Sequence, residues 1–333
     1  MEAGALDTVV PVTSGDEIGV LTTAFNHMIV QLRVKERIRE TFGKYMDPRI
    51  VEGLIDRPAL TGAGGERRVM TVFFCDMKGF TGISEGLTPT GLVNVINHYL
   101  TTMSAPIRSR NGIIDKYVGD AIMAFWGPPF NNADEHARLA CLAGLDQLAR
   151  LQPFRDALPE LMGIRHGVPE LSMRIGIATG EVVVGNIGSD VSKSYTVMGD
   201  TVNLASRLEG VSKTYGTRLL VDEATMAQAG DAIETREIDS ILVVGKTEAH
   251  RIFEVLGRKG EIDAARGALR ERFAAGLAAY RAQDWTEAAT EFRACLAVVP
   301  GDGPALVFLE RVAHLSAHPP GPGWNGMWTL AEK

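Results

Sequence analysis

Two aspartates stand where apolar runs break into turns. Asp76 closes "VMTVFFCD", a strand-like run from Val69, and Asp120 sits inside "DKYVGDAIMAFW", Asp115 to Trp126, where Gly-Asp interrupts a second run of core-type residues. Gly-Asp is also an ordinary turn pair, because Asp tolerates the left-handed backbone such turns need, so this stretch alone leaves both readings open. Two carboxylates brought to neighbouring strand ends repel unless a cation lies between them, and hard oxygen ligands suit Mg²⁺ or Mn²⁺. The "KGFTG" after Asp76 and Met77 offers backbone N–H groups, among them those of Phe80 and Thr81, of the kind that cradle phosphate. Asn203 and Arg207, four apart in "GDTVNLASRLEG", share a helix face near its N-terminus, where the dipole favours an anion. A solvated helix face carrying the same two residues is the plainer alternative.

The chain around these residues is an ordinary globular one. Of its 333 residues 45% are hydrophobic and 23% charged, enough for a core and for two or three modules. A formal charge of -7 supplies no basic face for nucleic acid, so a polyphosphate partner must be small and locally paired. Cys75, Cys141 and Cys295 are odd in number and far apart, which fits reduced core thiols in a cytoplasmic setting. No apolar run reaches the roughly 18 residues of a membrane span, and no signal-peptide pattern opens the chain.

Three modules must position the chemistry. In "GDEIGVLTTAFNHMIVQL" the residues Ile18, Leu21, Phe25, Met28 and Leu32 are spaced 3, 4, 3, 4, the seam of a coiled coil that wants a partner helix; a lone amphipathic helix is the alternative. Beyond Leu32 the apolar positions move to Val34, Ile38 and Tyr45, a slip of phase. From Val69 the pattern reads strand, helix (Thr88 as N-cap, Pro89 in the first turn, Pro106 ending or kinking it), hairpin, and a helix over 134–150. A strand pair at 171–180 and 181–188, a strand-to-helix passage at Gly199 and Asp200, and strands near 218–221 and 241–255 follow. This order predicts an α+β fold, ferredoxin-like βαββαβ, with helices on one face of a mostly antiparallel sheet. Residues 264–333 read as helices that must pack on the central module or a partner, with Trp324 and Trp328 in a docked tail.

Three stretches, "FFCDMKGFTGISE", "DKYVGDAIMAFW" and "YTVMGDTVNLASRLEG", together resemble the catalytic domain of class III nucleotidyl cyclases. "GDEIGVLTTAFNHM" is similar to the second half of a HAMP domain, the dimeric relay of bacterial receptors, "FGKYMDPRIVEGLI" to the linker that follows it, and the C-terminal helices to tetratricopeptide units. The resulting organisation is a partial HAMP-like segment at 1–35, a signalling linker at 36–65, a cyclase domain at 66–256 and a helical extension at 264–333. The resemblance implies an adenylate cyclase that converts ATP to 3′,5′-cyclic AMP and pyrophosphate, using two Mg²⁺ or Mn²⁺ per site. It assigns Asp76, Asp120 and the carbonyl of Met77 to metal, and Asn203 and Arg207 to ribose and α-phosphate. Lys116 and Thr196 match the base-selecting pair, since adenine offers an acceptor to the ammonium and an amino donor to the hydroxyl oxygen. Lys246 matches a lysine near the terminal phosphates, although Val244 replaces the lysine usual two residues earlier.

Carried over further, the resemblance implies a homodimer with composite sites and an upstream membrane receptor segment that holds this part in the cytoplasm. The rival readings are a catalytically inactive cyclase-like dimer, against which all six matched residues stand, and a guanylate or diguanylate cyclase. The first of the latter would carry Glu and Cys at the base-selecting places. The second would need a GGDEF-like turn, of which "VGDA" is a faint echo.

Overall fold

A computed structural model describes residues 9–43, 45–51, 64–164, 170–242, 249–321, 323–324 and 326–329. The chain forms two compact units, Met1–Gly64 and Gly65–Lys333. In the first, helix α1 (Glu17–Phe42) begins where the Asp16 carboxylate accepts hydrogen bonds from the backbone N–H groups of Ile18 and Gly19. Asn26 holds the preceding segment against the helix through both main-chain groups of Val10, at 2.9 and 2.7 Å. The expected seam residues Ile18, Leu21, Met28 and Leu32 are exposed along it, and so are Val34 and Ile38 beyond the phase slip, through which the helix runs unbroken. Much of the expected linker, 52–63, lies outside the described residues.

The second unit is built on β1 (Gly64–Lys78), α2 (Phe80–Glu85), α3 (Pro89–Ser109), β2 (Ile113–Val118), β3 (Ala121–Trp126), α4 (His136–Met162) and β4 (Ser172–Gly188). These give the predicted βαββαβ order, with β2-β3-β1-β4 as neighbours in the sheet. The sheet then grows by β6 (Leu219–Asp222), β8 (Ala249–Arg258) and β7 (Ile233–Leu242), while β5 (Lys193–Met198) pairs with the far end of β4. Between β5 and β6 runs α5 (Asp200–Tyr215), and α6 (Glu223–Ala229) follows β6. The expected strand over 241–255 is in fact two, β7 and β8, antiparallel to one another. Strand β7 escapes a hydropathy reading because "IETREIDS" carries a charged residue at nearly every second place.

Helix α3 starts as predicted, with Thr88 Oγ1 accepting from Gly91 N–H and Pro89 in the first turn. It continues past Pro106 to Ser109, because a proline so near the end removes little of the helix ladder and is itself buried. Helix α4 outruns its predicted end at Arg150 because Leu151, Phe154 and Leu158 extend its buried stripe across two prolines.

The expectation that helices cover one face only is corrected. Phe73, Cys75, Ile175 and Ile177 face the core shared with α3 and α4. The alternate residues Gly176 and Ala178 face α5 on the opposite side. At Gly176 a Cβ would lie 2.2 Å from the Ala205 carbonyl oxygen and 2.3 Å from the Glu209 nitrogen, so glycine is what lets α5 lie directly on β4.

The C-terminal helices α7 (Ala264–Arg281), α8 (Trp285–Val298) and α9 (Gly303–Ala317) pack on this unit by buried ion pairs. Arg236 on β7 joins Glu254 and Asp302, each at 2.6 Å. Arg311 on α9 reaches Asp239 at 2.6 Å and the Tyr215 hydroxyl at 2.9 Å, and that hydroxyl donates to Asp239 at 2.5 Å. Both charged groups are almost wholly enclosed, at 4% and 1% exposed. The tail places Trp324 against Tyr280 and Trp285, and ends in β9 (Trp328–Thr329), parallel to β7.

Arg311→Met leaves Asp239 buried without its counter-charge and is expected to lower unfolding free energy by about 3–5 kcal/mol, most of it recovered by adding Asp239→Leu. Denaturant unfolding of both variants checks this, and a loss below about 1 kcal/mol in the single variant would contradict the pairing.

Candidate active site

Antiparallel pairing sets Cys75 on β1 opposite Ile122 on β3. The next residue, Asp76, is thereby brought to the β2–β3 turn, where Gly119 takes φ +64° and Asp120 follows. The two carboxyl groups come close enough that the Asp76 carboxylate raises the Asp120 proton affinity, while the Met77 backbone N–H lowers it. Burial, and then the negative charge of Asp76, push Asp120 up to about 6. The available donors, two carboxylates and the Met77 carbonyl, are all oxygen and suit a hard divalent cation. Among the described residues no group of three or more His, Cys, Asp or Glu side chains could hold a metal ion, so backbone, water or phosphate oxygens would have to complete any shell here.

A residue that sequence reasoning missed stands beside them. Arg174 on β4 donates to Asp76 Oδ2 at 2.5 Å and, through Nε, to Glu209 on α5 at 2.6 Å. Its signal was present in "SMRIGI", a charged residue at every-second-residue spacing on the face that also carries the small Gly176 and Ala178. Phe80 is half-buried at the start of α2, just after Gly79 at φ +99°. The side chain of Thr81 and all of Lys246 lie outside the described residues.

Lys116 and Thr196, 80 positions apart in sequence, come together through a third residue. Thr196 on β5 donates to Asp115 Oδ2 at 3.0 Å, and the Lys116 ammonium lies 3.2 Å from the same oxygen. Asn203 and Arg207 are exposed on one face of α5, opposite the buried Thr201, Ala205 and Leu208. Arg207 lines a cavity of about 480 Å³ with Thr179, Thr201, Asp222, His250 and Arg251. Of the expected site residues only Arg207 lines that cavity; Asp76 and Asp120 come together at one place, and Lys116 and Thr196 at another.

A mixed sheet with paired aspartates at a hairpin and an Asn–Arg pair exposed on α5 points to a nucleotidyl cyclase catalytic domain. Residues 65–254 match the adenylate and guanylate cyclase catalytic domain, and residues 1–34 match the HAMP domain. The chain belongs to the adenylate and guanylate cyclase catalytic domain family. It is 34% identical to adenylate cyclase 1 of Rhizobium meliloti (strain 1021) over 252 residues, 76% of this chain and 36% of that protein. It is also 34% identical to adenylate cyclase of Anabaena cylindrica over 250 residues, 72% of this chain and 48% of the relative. The chain thus spans between about a third and a half of the length of these relatives.

Among solved structures, the adenylyl cyclase CyaB from P. aeruginosa superposes with a TM-score of 0.54 at 34% identity, covering 60% of this chain and 99% of CyaB. The guanylyl cyclase Cya2 gives 0.52 at 35%, covering 60% and 98%. The family works with divalent metal ions, and a cyclase domain joined to a HAMP segment is the arrangement of a dimeric, nucleotide-binding signalling protein. No helix among the described residues is long and apolar enough to cross a membrane.

Beneath the cavity runs a buried chain of hydroxyls. Gln228 donates to His136 Nε2 at 3.3 Å, which leaves Nδ1–H to donate to Thr71 Oγ1 at 2.7 Å. Thr71 and Thr225 each lie 2.8 Å from Thr179 Oγ1, and the Thr179 N–H donates to Asp222. Burial holds His136 below the ordinary histidine value of 6.5, with Asp134 opposing in part. The unfolded chain therefore takes up this proton before the folded one. The stabilising contribution is complete above about pH 6.5 and is lost as pH falls through the depressed folded value. Thermal unfolding should show a steeper loss between pH 7.5 and 5.5 in the wild type than in His136→Gln; equal slopes would refute the assignment.

Proposed function

We propose that this chain is an adenylate cyclase, forming 3′,5′-cyclic AMP and pyrophosphate from ATP. The observation that carries the reading is the convergence of Asp76 and Asp120 at one strand end, with Met77 between their elements. These residues would hold two divalent cations, Mg²⁺ or Mn²⁺, which when bound lower the pKa of the ribose 3′-hydroxyl and balance triphosphate charge.

The rest of the chemistry belongs to the chain's own side chains. Lys116 and Thr196 read the base edge. Asn203 orients the ribose so that the 3′-oxygen faces the α-phosphorus. A bond forms between those two atoms, the bond from the α-phosphorus to the bridging oxygen breaks, the hydroxyl proton passes to solvent, and pyrophosphate leaves with the bridging oxygen. Arg207 offsets the charge that grows on the α-phosphate oxygens. Arg174, whose guanidinium already sits on Asp76, is a fork suited to the terminal phosphates, as are Lys246 and the backbone of Phe80 and Thr81.

The match to a cyclase domain joined to a HAMP segment supports a homodimer in which each site takes its aspartates from one protomer and Lys116, Thr196, Asn203 and Arg207 from its partner. The exposed seam of α1 supports a helical relay that sets how the protomers meet. The HAMP match extends the proposal to a membrane-tethered parent protein with this part on the cytoplasmic side.

Purified protein with ATP and Mn²⁺ is expected to yield cyclic AMP and pyrophosphate, with GTP a poorer substrate. Asp120→Ala and Arg207→Ala should each lose on the order of 100-fold or more in turnover. Mixing the two inactive variants should restore about a quarter of wild-type activity, since half the exchanged dimers carry one intact site. No cyclic AMP from the wild type would overturn the activity, and no recovery on mixing would overturn the composite site.

A further inference from the structure

Lys116 and Thr196 leave a gap in the account of base choice. A threonine hydroxyl has one proton to give and lone pairs that accept, so on its own it suits the amino group of adenine or the carbonyl oxygen of guanine equally. Something must decide which way it points.

Strand β2 shifts register against β3 between Ile114 and Lys116: Ile114 faces Ala124 and Lys116 faces Met123, so Asp115 is the extra residue of a bulge. Neighbouring side chains on a regular strand point to opposite faces. The bulge relaxes that rule, and the Asp115 carboxylate and Lys116 ammonium meet at 3.2 Å. The Asp115 side chain is 1% exposed while that of Lys116 is 49% exposed, so the carboxylate lies beneath and the ammonium is presented outward. Thr196, 7% exposed, arrives from β5 and bonds to the same Oδ2 at 3.0 Å. An ionised carboxylate has nothing to donate, so the proton in that bond comes from Thr196.

We propose that Asp115 is the positioning residue that fixes base preference: one buried oxygen takes the Thr196 proton and anchors the Lys116 ammonium, leaving the pair to present an acceptor and a donor that match adenine and oppose guanine. The inference rests on reading Lys116 and Thr196 as the base site. With the Thr196 proton committed inward, only its lone pairs face the ligand, and these meet the N6 amino group of adenine. The Lys116 ammonium, with donors to spare, meets adenine N1. Guanine would set its N1–H against the ammonium and its O6 against the hydroxyl lone pairs, leaving both unpaired. Burial raises the Asp115 pKa, while the Thr196 bond and then the Lys116 charge pull the other way.

The test compares ATP with GTP in the full chain with Mn²⁺, by kcat/KM and by equilibrium binding of each triphosphate. In Asp115→Ala the Thr196 hydroxyl is free to turn its proton outward, and the ATP-to-GTP ratio is expected to fall by about tenfold or more, mainly through KM for ATP. The near-isosteric Asp115→Asn, whose amide oxygen still accepts the Thr196 proton while its neutral side chain no longer anchors the ammonium, should lower the ratio by less than Asp115→Ala, which guards against a variant that fails to fold. On a Thr196→Val background, where no hydroxyl remains to orient and only the Lys116 anchor is left to lose, Asp115→Ala should shift the ratio by clearly less than it does with Thr196 present. An unchanged ratio in a folded Asp115→Ala, or the same fall without the hydroxyl, overturns the proposal. A wild type that forms no cyclic nucleotide from ATP would sink the cyclase reading, while the binding ratios would still judge Asp115.

Discussion

Asp76 and Asp120 are held in contact by a sheet register that neither can relax. Strand β1 pairs with β3 from Thr71 to Cys75, so the strand end and the hairpin turn arrive at the same place however unfavourable two carboxylates are there. Burial first, and then the charge of Asp76, raise the proton affinity of Asp120, and the Arg174 guanidinium pairs with Asp76. Like charges kept together by backbone geometry form a place where positive charge is wanted. The core of Phe73, Cys75 and Met77 beneath β1 keeps that geometry rigid.

The second set of functional side chains depends on a different constraint, the closeness of α5 to β4. Gly176 removes a side chain that would hold the helix away, and Arg174 bridges from β4 to Glu209 on the same helix. The far end of α5 is fixed by Tyr215, which shares a buried polar cluster with Asp239 and Arg311. At Gly303 a Cβ would approach the Tyr215 carbonyl oxygen to 2.1 Å, so the last helix also touches the end of α5 directly. The helix bearing Asn203 and Arg207 is therefore braced twice, at its middle by the sheet and at its C-terminal end by the C-terminal extension.

Much of this arrangement could be read from the sequence where a local pattern changes. The strand ends at Asp76 and Asp120 are marked by apolar runs breaking at turn residues, and the start of α3 is written in Thr88 and Pro89. What escaped depends on distant pairings that no local window contains. Arg174 acquires its meaning from Asp76, 98 positions away, and Asp115 from Thr196, 81 positions away. The placement of α5 on the opposite face was hidden because β4 is covered on both sides, so its alternation of large and small residues mimics a strand with one open face. Strand β7 was hidden for the converse reason, its charged residues being satisfied by Glu254, Arg251 and the C-terminal helices instead of by water.

The short β9 strand adds one more consequence. By lying parallel to Ile241 and Leu242 it takes up backbone hydrogen-bonding groups at the outer border of the sheet. Bare strand borders recruit foreign chains and seed insoluble fibres. The tail at Trp328 thus leaves the sheet bordered at Ile241 and Leu242 by a strand of two residues, too short to offer a neighbouring molecule a long template there.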